Sequence, residues 1–204
     1  MDINILSVSF VGVFTTPLSM IPQLDSNFCK HIFHNPDMTV SGYGPTGFMV
    51  KHKILPMPSI LINPAKVIIT ANNLDDIYAY VQSISEQLPE VSFGAYGLNS
   101  EMEWRSDANA DEWISNHFIK EDKRIGISFN KCSHLNLTFD ISEKELLNIG
   151  FEPRIGVSKG VFASVNHHNE YPMVGFPDQD TLKREFERSF LIVNKQISKL
   201  TENE

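Results

Sequence analysis

The chain has no long apolar run, only two cysteines, fewer basic than acidic residues, and none of the short motifs that announce catalysis. A helix that crosses a bilayer needs about 20 consecutive apolar residues, and no segment approaches that length, so no membrane span is expected. The nearest candidate is MDINILSVSFVGVF at the N-terminus. There Asp2 stands where a signal peptide carries positive charge, and Ser7 and Ser9 interrupt the apolar run, so the stretch reads as a strand. Cys29 and Cys132 are too few for a disulfide framework, which points to free thiols in a reducing, cytoplasmic setting. No GxSxG elbow, HExxH pair, P-loop lysine or CxxC occurs, and this tilts the expectation away from an enzyme.

Basic residues are scarce as well. The chain carries 17 Lys and Arg against 25 Asp and Glu, a formal charge of -8, and the excess acid is concentrated in residues 61–120. Such a surface repels phosphate backbones and attracts basic proteins, so nucleic acid is an unfavoured partner. Only Lys51, Lys53 and Lys66 offer a basic cluster against this trend. The densest acidic stretch is EMEWRSDANADE, residues 101–112. It reads as a solvated loop leading into a short helix with Trp113, Ile114 and His117 on its inner side. As a docking surface it would present Glu101, Glu103, Trp104, Asp107, Asp111 and Glu112, with Trp104 anchored either in the domain or in the partner.

What is present is most legible between Pro58 and Glu103. Ile60 and Ile62, then Val67 and Ile69, are β-branched at period two on either side of Asn63-Pro64-Ala65, where a chain reversal is expected. Asn73 stands at an N-cap position with Asp75 and Asp76 in the first turn. Leu74, Ile77, Tyr78, Val81, Ile84 and Leu88 then form one apolar helical stripe that Pro89 ends. Val91, Phe93 and Ala95 suggest a return strand.

Around this unit, residues 3–14 read as a strand, and about 15–36 as an irregular connection. Residues 124–141 read as a hairpin with Ile125, Ile127 and Phe129 opposite Leu135, Leu137 and Phe139. Ser142 and Glu145 have capping-box spacing for a brief helix ending near Gly150. Strands are expected over 151–157 and 161–167. A long amphipathic helix then closes the chain, capped by Asp178 or Asp180, with Leu182, Phe186, Phe190, Val193, Ile197 and Leu200 on one stripe.

Few groups suggest chemistry. Gly42 to Gly47 match GxGxxG, but the residues that follow are strand-like where a dinucleotide site needs a helix, so a turn between strands is the reading. Cys29, His31 and His34, with Cys132 and His134, lack the paired spacing of a zinc site, and no metal or cofactor is expected. On a strand, His167 and His168 point to opposite faces. His168 shares parity with Glu170, and these two are the candidates for an acid–base pair.

The pattern predicts one α+β domain over 1–204, a mostly antiparallel sheet of about six to eight strands packed on one face by two main helices in two layers. The leading functional expectation is a non-enzymatic partner-binding protein, an accessory, inhibitory or sensor subunit that meets a basic protein through its acidic surface, with self-association left open. The alternative is a small-molecule receptor or hydrolase with its cavity between the sheet and the C-terminal helix, and His168, Glu170, His134 or His52 at the mouth.

Overall fold

The computed structural model describes residues 2–19, 38–44, 47–55, 57–118 and 134–201. The strands are β1 (Asn4–Phe14), β2 (Met38–Gly44), β3 (Gly47–His52), β4 (Ser59–Ile62), β5 (Lys66–Ala71), β6 (Ser92–Arg105), β7 (Leu135–Ser142), β8 (Glu145–Pro153), β9 (Gly160–Asn169) and β10 (Met173–Val174). The described helices are α1 (Leu74–Gln87), α2 (Ala110–Phe118) and α3 (Gln179–Thr201). All strand pairs are antiparallel, in the order β2-β3-β4-β5-β1-β6-β9-β8-β7, with β10 on the end of β6. Among the described residues ten strands form the sheet, more than the six to eight expected.

Period-two alternation decides which face each side chain takes. Val8 and Phe10 of β1, Ile60 and Ile62 of β4, Val67 and Ile69 of β5, Leu98 and Met102 of β6, Leu147 and Ile149 of β8, and Ala163 and Val165 of β9 are all buried on one face. The helices cover that face: α1 lies over β5 and β1, α2 over β8, and α3 over β6. Leu182, Phe186, Val193 and Ile197 of α3 are buried against the sheet, and Phe190 joins the two apolar clusters. This is the two-layer α+β arrangement expected from the sequence. No described helix is long and apolar enough to cross a membrane.

The helix ends follow the sequence. Asn73 Oδ1 accepts from the amide of Asp76 at 2.9 Å, and Asp178 Oδ1 accepts from the amide of Thr181 at 2.7 Å. Both halves of the chain also run the same course. A long central strand (β1 or β6) is followed by a meander that works back from the sheet edge (β2 to β5, or β7 to β9) and then by a helix (α1 or α3). The two central strands pair with each other, so the sheet has an approximate two-fold topology that no repeated residue pattern reveals.

Three local expectations are corrected. Residues 101–105 are the end of β6, not a loop. Residues 145–153 are strand β8, not a helix, because Glu145, Leu147, Ile149 and Phe151 alternate inward at period two, and this outweighs a single capping-box spacing. The strand expected over 151–157 accordingly ends at Pro153. The partner of β7 is β8; the first arm of the hairpin expected at 124–129 lies outside the described residues, as do Cys29, His31, His34, Cys132 and the connection at 20–36. Gly44 and Gly47 face each other across β2 and β3, so the GxGxxG stretch joins two strands. Gly47, at φ 124°, adopts a backbone conformation that a side chain disfavours.

Candidate functional site

No described helix lies on the second face of the sheet, and its residues are of a different kind. Following cross-strand partners from β2 to β7 gives one continuous row: Thr39, Lys51, Ser59, Thr70, Ser9, Asn99, Asn166, Asn148 and Thr138. Every member is polar, and none is buried. At about 4.8 Å per strand, eight spacings make a line of roughly 38 Å. A second polar row runs beside it from Ser7 through Glu101, Ser164 and Gly150 to Asn136. On the opposite side, over the first half of the sheet, the flanking row is apolar: Met49, Leu61, Ile68 and Val11.

Where the two polar rows run together the surface sinks into a trough of about 410 Å³, within the range of ligand sites. Its walls include Ser7, Ser9, Thr70, Asn99, Glu101, Asn136, Asn148, Ser164 and Asn166, with Met57 reaching over it. Some of these groups are engaged: Ser9 with Thr70 at 2.9 Å, Ser7 donating to Glu101 at 2.9 Å, and Thr138 donating to Asn148 at 2.7 Å. The carbonyl oxygen of Asn99 has no partner. Gly150 keeps the floor open, since a Cβ there would lie 2.7 Å from both Asn136 Oδ1 and Ser164 Oγ. In the loop after β3, Ile54 and Leu55 are 87% and 54% exposed, and their amides donate to His52 Nδ1 at 3.2 and 3.0 Å.

The structure separates the expected acidic surface into three parts. Glu101 and Glu103 are on the open face of β6; Glu103 pairs with Arg154 and accepts from Asn4 Nδ2 at 3.1 Å. Trp104 points the other way and is 3% exposed, edge-on to Trp113 and Phe151, so it is a core anchor. Asp107 lies in the loop beyond the strand, where its carbonyl accepts from Lys159 at 2.6 Å, while Asp111 and Glu112 sit in the first turn of α2. His168 and Glu170 do come together, Nε2 to Oε1 at 3.6 Å, with Glu170 exposed and His168 only partly buried. His134 stands 3.9 Å from Glu152 and His52 caps its own loop, so of the four groups expected at a cavity mouth only His168 and Glu170 are paired with each other. Among the described residues no group of three or more His, Cys, Asp or Glu could hold a metal ion.

Sequence reasoning missed a buried polar network beneath α3. Glu145 and His167, 2% and 0% exposed, are joined Oε1 to Nε2 at 2.7 Å, and Arg188 of α3 donates to Glu145 at 2.7 Å. Burial, the largest influence on His167, holds its pKa below the usual value and keeps it neutral. Burial pushes Glu145 upward, but hydrogen bonds from Arg188 and His167 outweigh it and hold the carboxyl below its usual range. The Nε2 proton of His167 is therefore assigned to the bond with Glu145, leaving Nδ1 as a bare acceptor without a partner. Tyr96 donates to Glu185 at 3.2 Å, and burial with that carboxylate raises its phenol pKa. Inward-facing His167 was legible; its partners were not.

No protein-family model matches the chain, and no curated protein matches it. A solved structure of a rolling circle replication initiator protein from Geobacillus stearothermophilus aligns with 83% of this chain and 75% of its own, at 9% identity and a TM-score of 0.34. A likeness that weak carries no argument.

Proposed function

We propose that the protein is a binding protein, an accessory, inhibitory or sensor subunit of the cytoplasm, whose recognition surface is the open face of the sheet and whose partner is a basic protein segment. The observation that supports this reading most is the trough: hydroxyl and carboxamide groups crowd it, and the one acidic residue among those that line it is Glu101. We read these groups as holding a ligand rather than transforming it: no histidine or lysine is among the residues that line the trough, and His134, which approaches its floor at Gly150, is turned to Glu152 at 3.9 Å. Met57 supplies the apolar contact in the trough that the polar rows lack. Of the acidic stretch, Glu101 stays at the centre of this surface, and Glu103 is its partly neutralised rim. The packed contact of α3 with the sheet argues against a cavity between them.

The test is to compare wild type and Glu101→Lys for retention of basic proteins from the cell that makes the chain, across a salt titration. Retention that weakens with salt and is lost on charge reversal is expected. Retention indifferent to both would refute the reading.

A further inference from the structure

The face reading names a surface and a charge, but the side chains in the trough narrow the chemistry further. Asn99, Asn166, Asn148 and Asn136 stand on four adjacent strands at one end of the polar rows. A carboxamide is a copy of the peptide group, with one planar donor and one acceptor side by side, so it can pair with a main-chain amide through two hydrogen bonds at once. Such pairing reads no side chain. Asn99 lines the trough with its carbonyl oxygen buried and without a hydrogen-bond partner, so a peptide N–H that reached it would satisfy a group the fold leaves unpaired.

We infer that the trough recognises the main chain of an extended polypeptide laid across the strands, with a lysine or arginine of that segment at Glu101. Two other polymers with hydrogen-bonding edges fit less well. Asparagine also pairs with adenine, but a nucleic acid would bring phosphates onto a face carrying Glu101, Glu103 and Glu152 in a chain of charge -8. A carbohydrate, or a single strand stacked by its bases, needs aromatic faces, and none is among the residues that line the trough. Gly150 completes the case: a side chain there would press into Asn136 and Ser164, closing the floor where a flat backbone has to approach.

This inference rests on the binding-face reading, and its test is built to fail separately. The full chain, labelled with 15N, is titrated with the unstructured peptide acetyl-GSAGKAGSAG-amide. Parallel titrations use the same peptide with N-methyl groups on the residues flanking lysine, with lysine replaced by glutamate, and with the alanines replaced by valine, together with a twelve-residue oligothymidylate. We expect saturable shifts of the side-chain amide signals of Asn99, Asn166 and Asn136. N-methylation should weaken binding about tenfold or more, because it removes donors whose acceptors then stay unpaired. Glutamate should abolish binding, and the valine peptide should bind within about threefold of the parent. Asn166→Ala, an exposed position that can lose its amide without unfolding the chain, should reproduce the N-methyl loss. The inference is overturned if the asparagine signals stay still at millimolar peptide, if the N-methylated peptide binds equally, or if the oligonucleotide binds in its place. Should the peptides fail while retention of a folded basic protein still depends on Glu101, the face reading stands and the main-chain mode falls. Failure of both removes the two together.

Discussion

Removing the guanidinium of Arg188 puts the buried network to a quantitative test. In Arg188→Met the carboxylate of Glu145, 2% exposed, keeps only the Nε2–H of neutral His167 as a partner. Taking one partner from a fully buried ion pair costs about 3–5 kcal/mol. The Arg188 side chain is 44% exposed, so solvent already screens part of the pair, and a loss of about 2–3 kcal/mol is expected. Removing the charge on both sides should undo most of this. Glu145→Gln/Arg188→Met keeps an acceptor for His167 and buries no net charge, so it should unfold within about 1 kcal/mol of wild type. The deficit of the single variant has a defined pH dependence. Without Arg188, burial dominates and raises the folded pKa of Glu145 above its unfolded value, so the penalty is small below about pH 4.5 and grows as pH rises. Urea unfolding followed by Trp104 and Trp113 fluorescence at pH 7 and pH 4.5 measures both effects. A loss under 1 kcal/mol at pH 7, or a double variant as unstable as the single, would show that α3 is not held to the sheet by a buried charge.

The folded pKa of His167 lies below its unfolded value near 6.5, so wild-type stability should be full above that pH and fall on acidification below it; His167→Gln should flatten that part of the profile in thermal melts. Trp104→Ala should cost about 3–5 kcal/mol, as truncation of a core aromatic, and calorimetry should show this as a lowered Tm. Asn73→Ala should cost about 1 kcal/mol by losing the cap of α1, read by the same calorimetry. Gly150→Ala should leave the circular dichroism spectrum unchanged while weakening whatever binds the trough, since its Cβ displaces the ends of two side chains rather than backbone.

Residues whose neighbours lie close in the chain were the legible ones. The stripe from Leu74 to Leu88, the cap at Asn73 and the inward parity of His167 rest on local pattern, and the structure has them as read; of the two caps offered for the last helix, Asp178 and Asp180, it has Asp178. Segment 145–153 was misread because a two-residue coincidence, Ser142 with Glu145, competed with alternation that fixes a strand only when its partners β7 and β9 are known. Segment 101–105 was misread because acidic residues on an open strand face look, in sequence, like a solvated loop. Acid count also merged Glu101 and Trp104 into one surface, though consecutive strand positions take opposite faces. The polar rows were hidden for a stronger reason. Ser9, Asn99, Asn166 and Asn148 are each unremarkable alone, and only the registers of β1, β6, β9 and β8 place them side by side.

The open face as the place of contact is tested most directly by a photo-crosslinking amino acid substituted at Asn166, in the trough, and separately at Leu191, 71% exposed on the outer side of α3. The position 166 probe should form adducts with a basic protein that Glu101→Lys abolishes, while the position 191 probe should form none. Adducts at 191 alone, or adducts at 166 indifferent to Glu101, would contradict it.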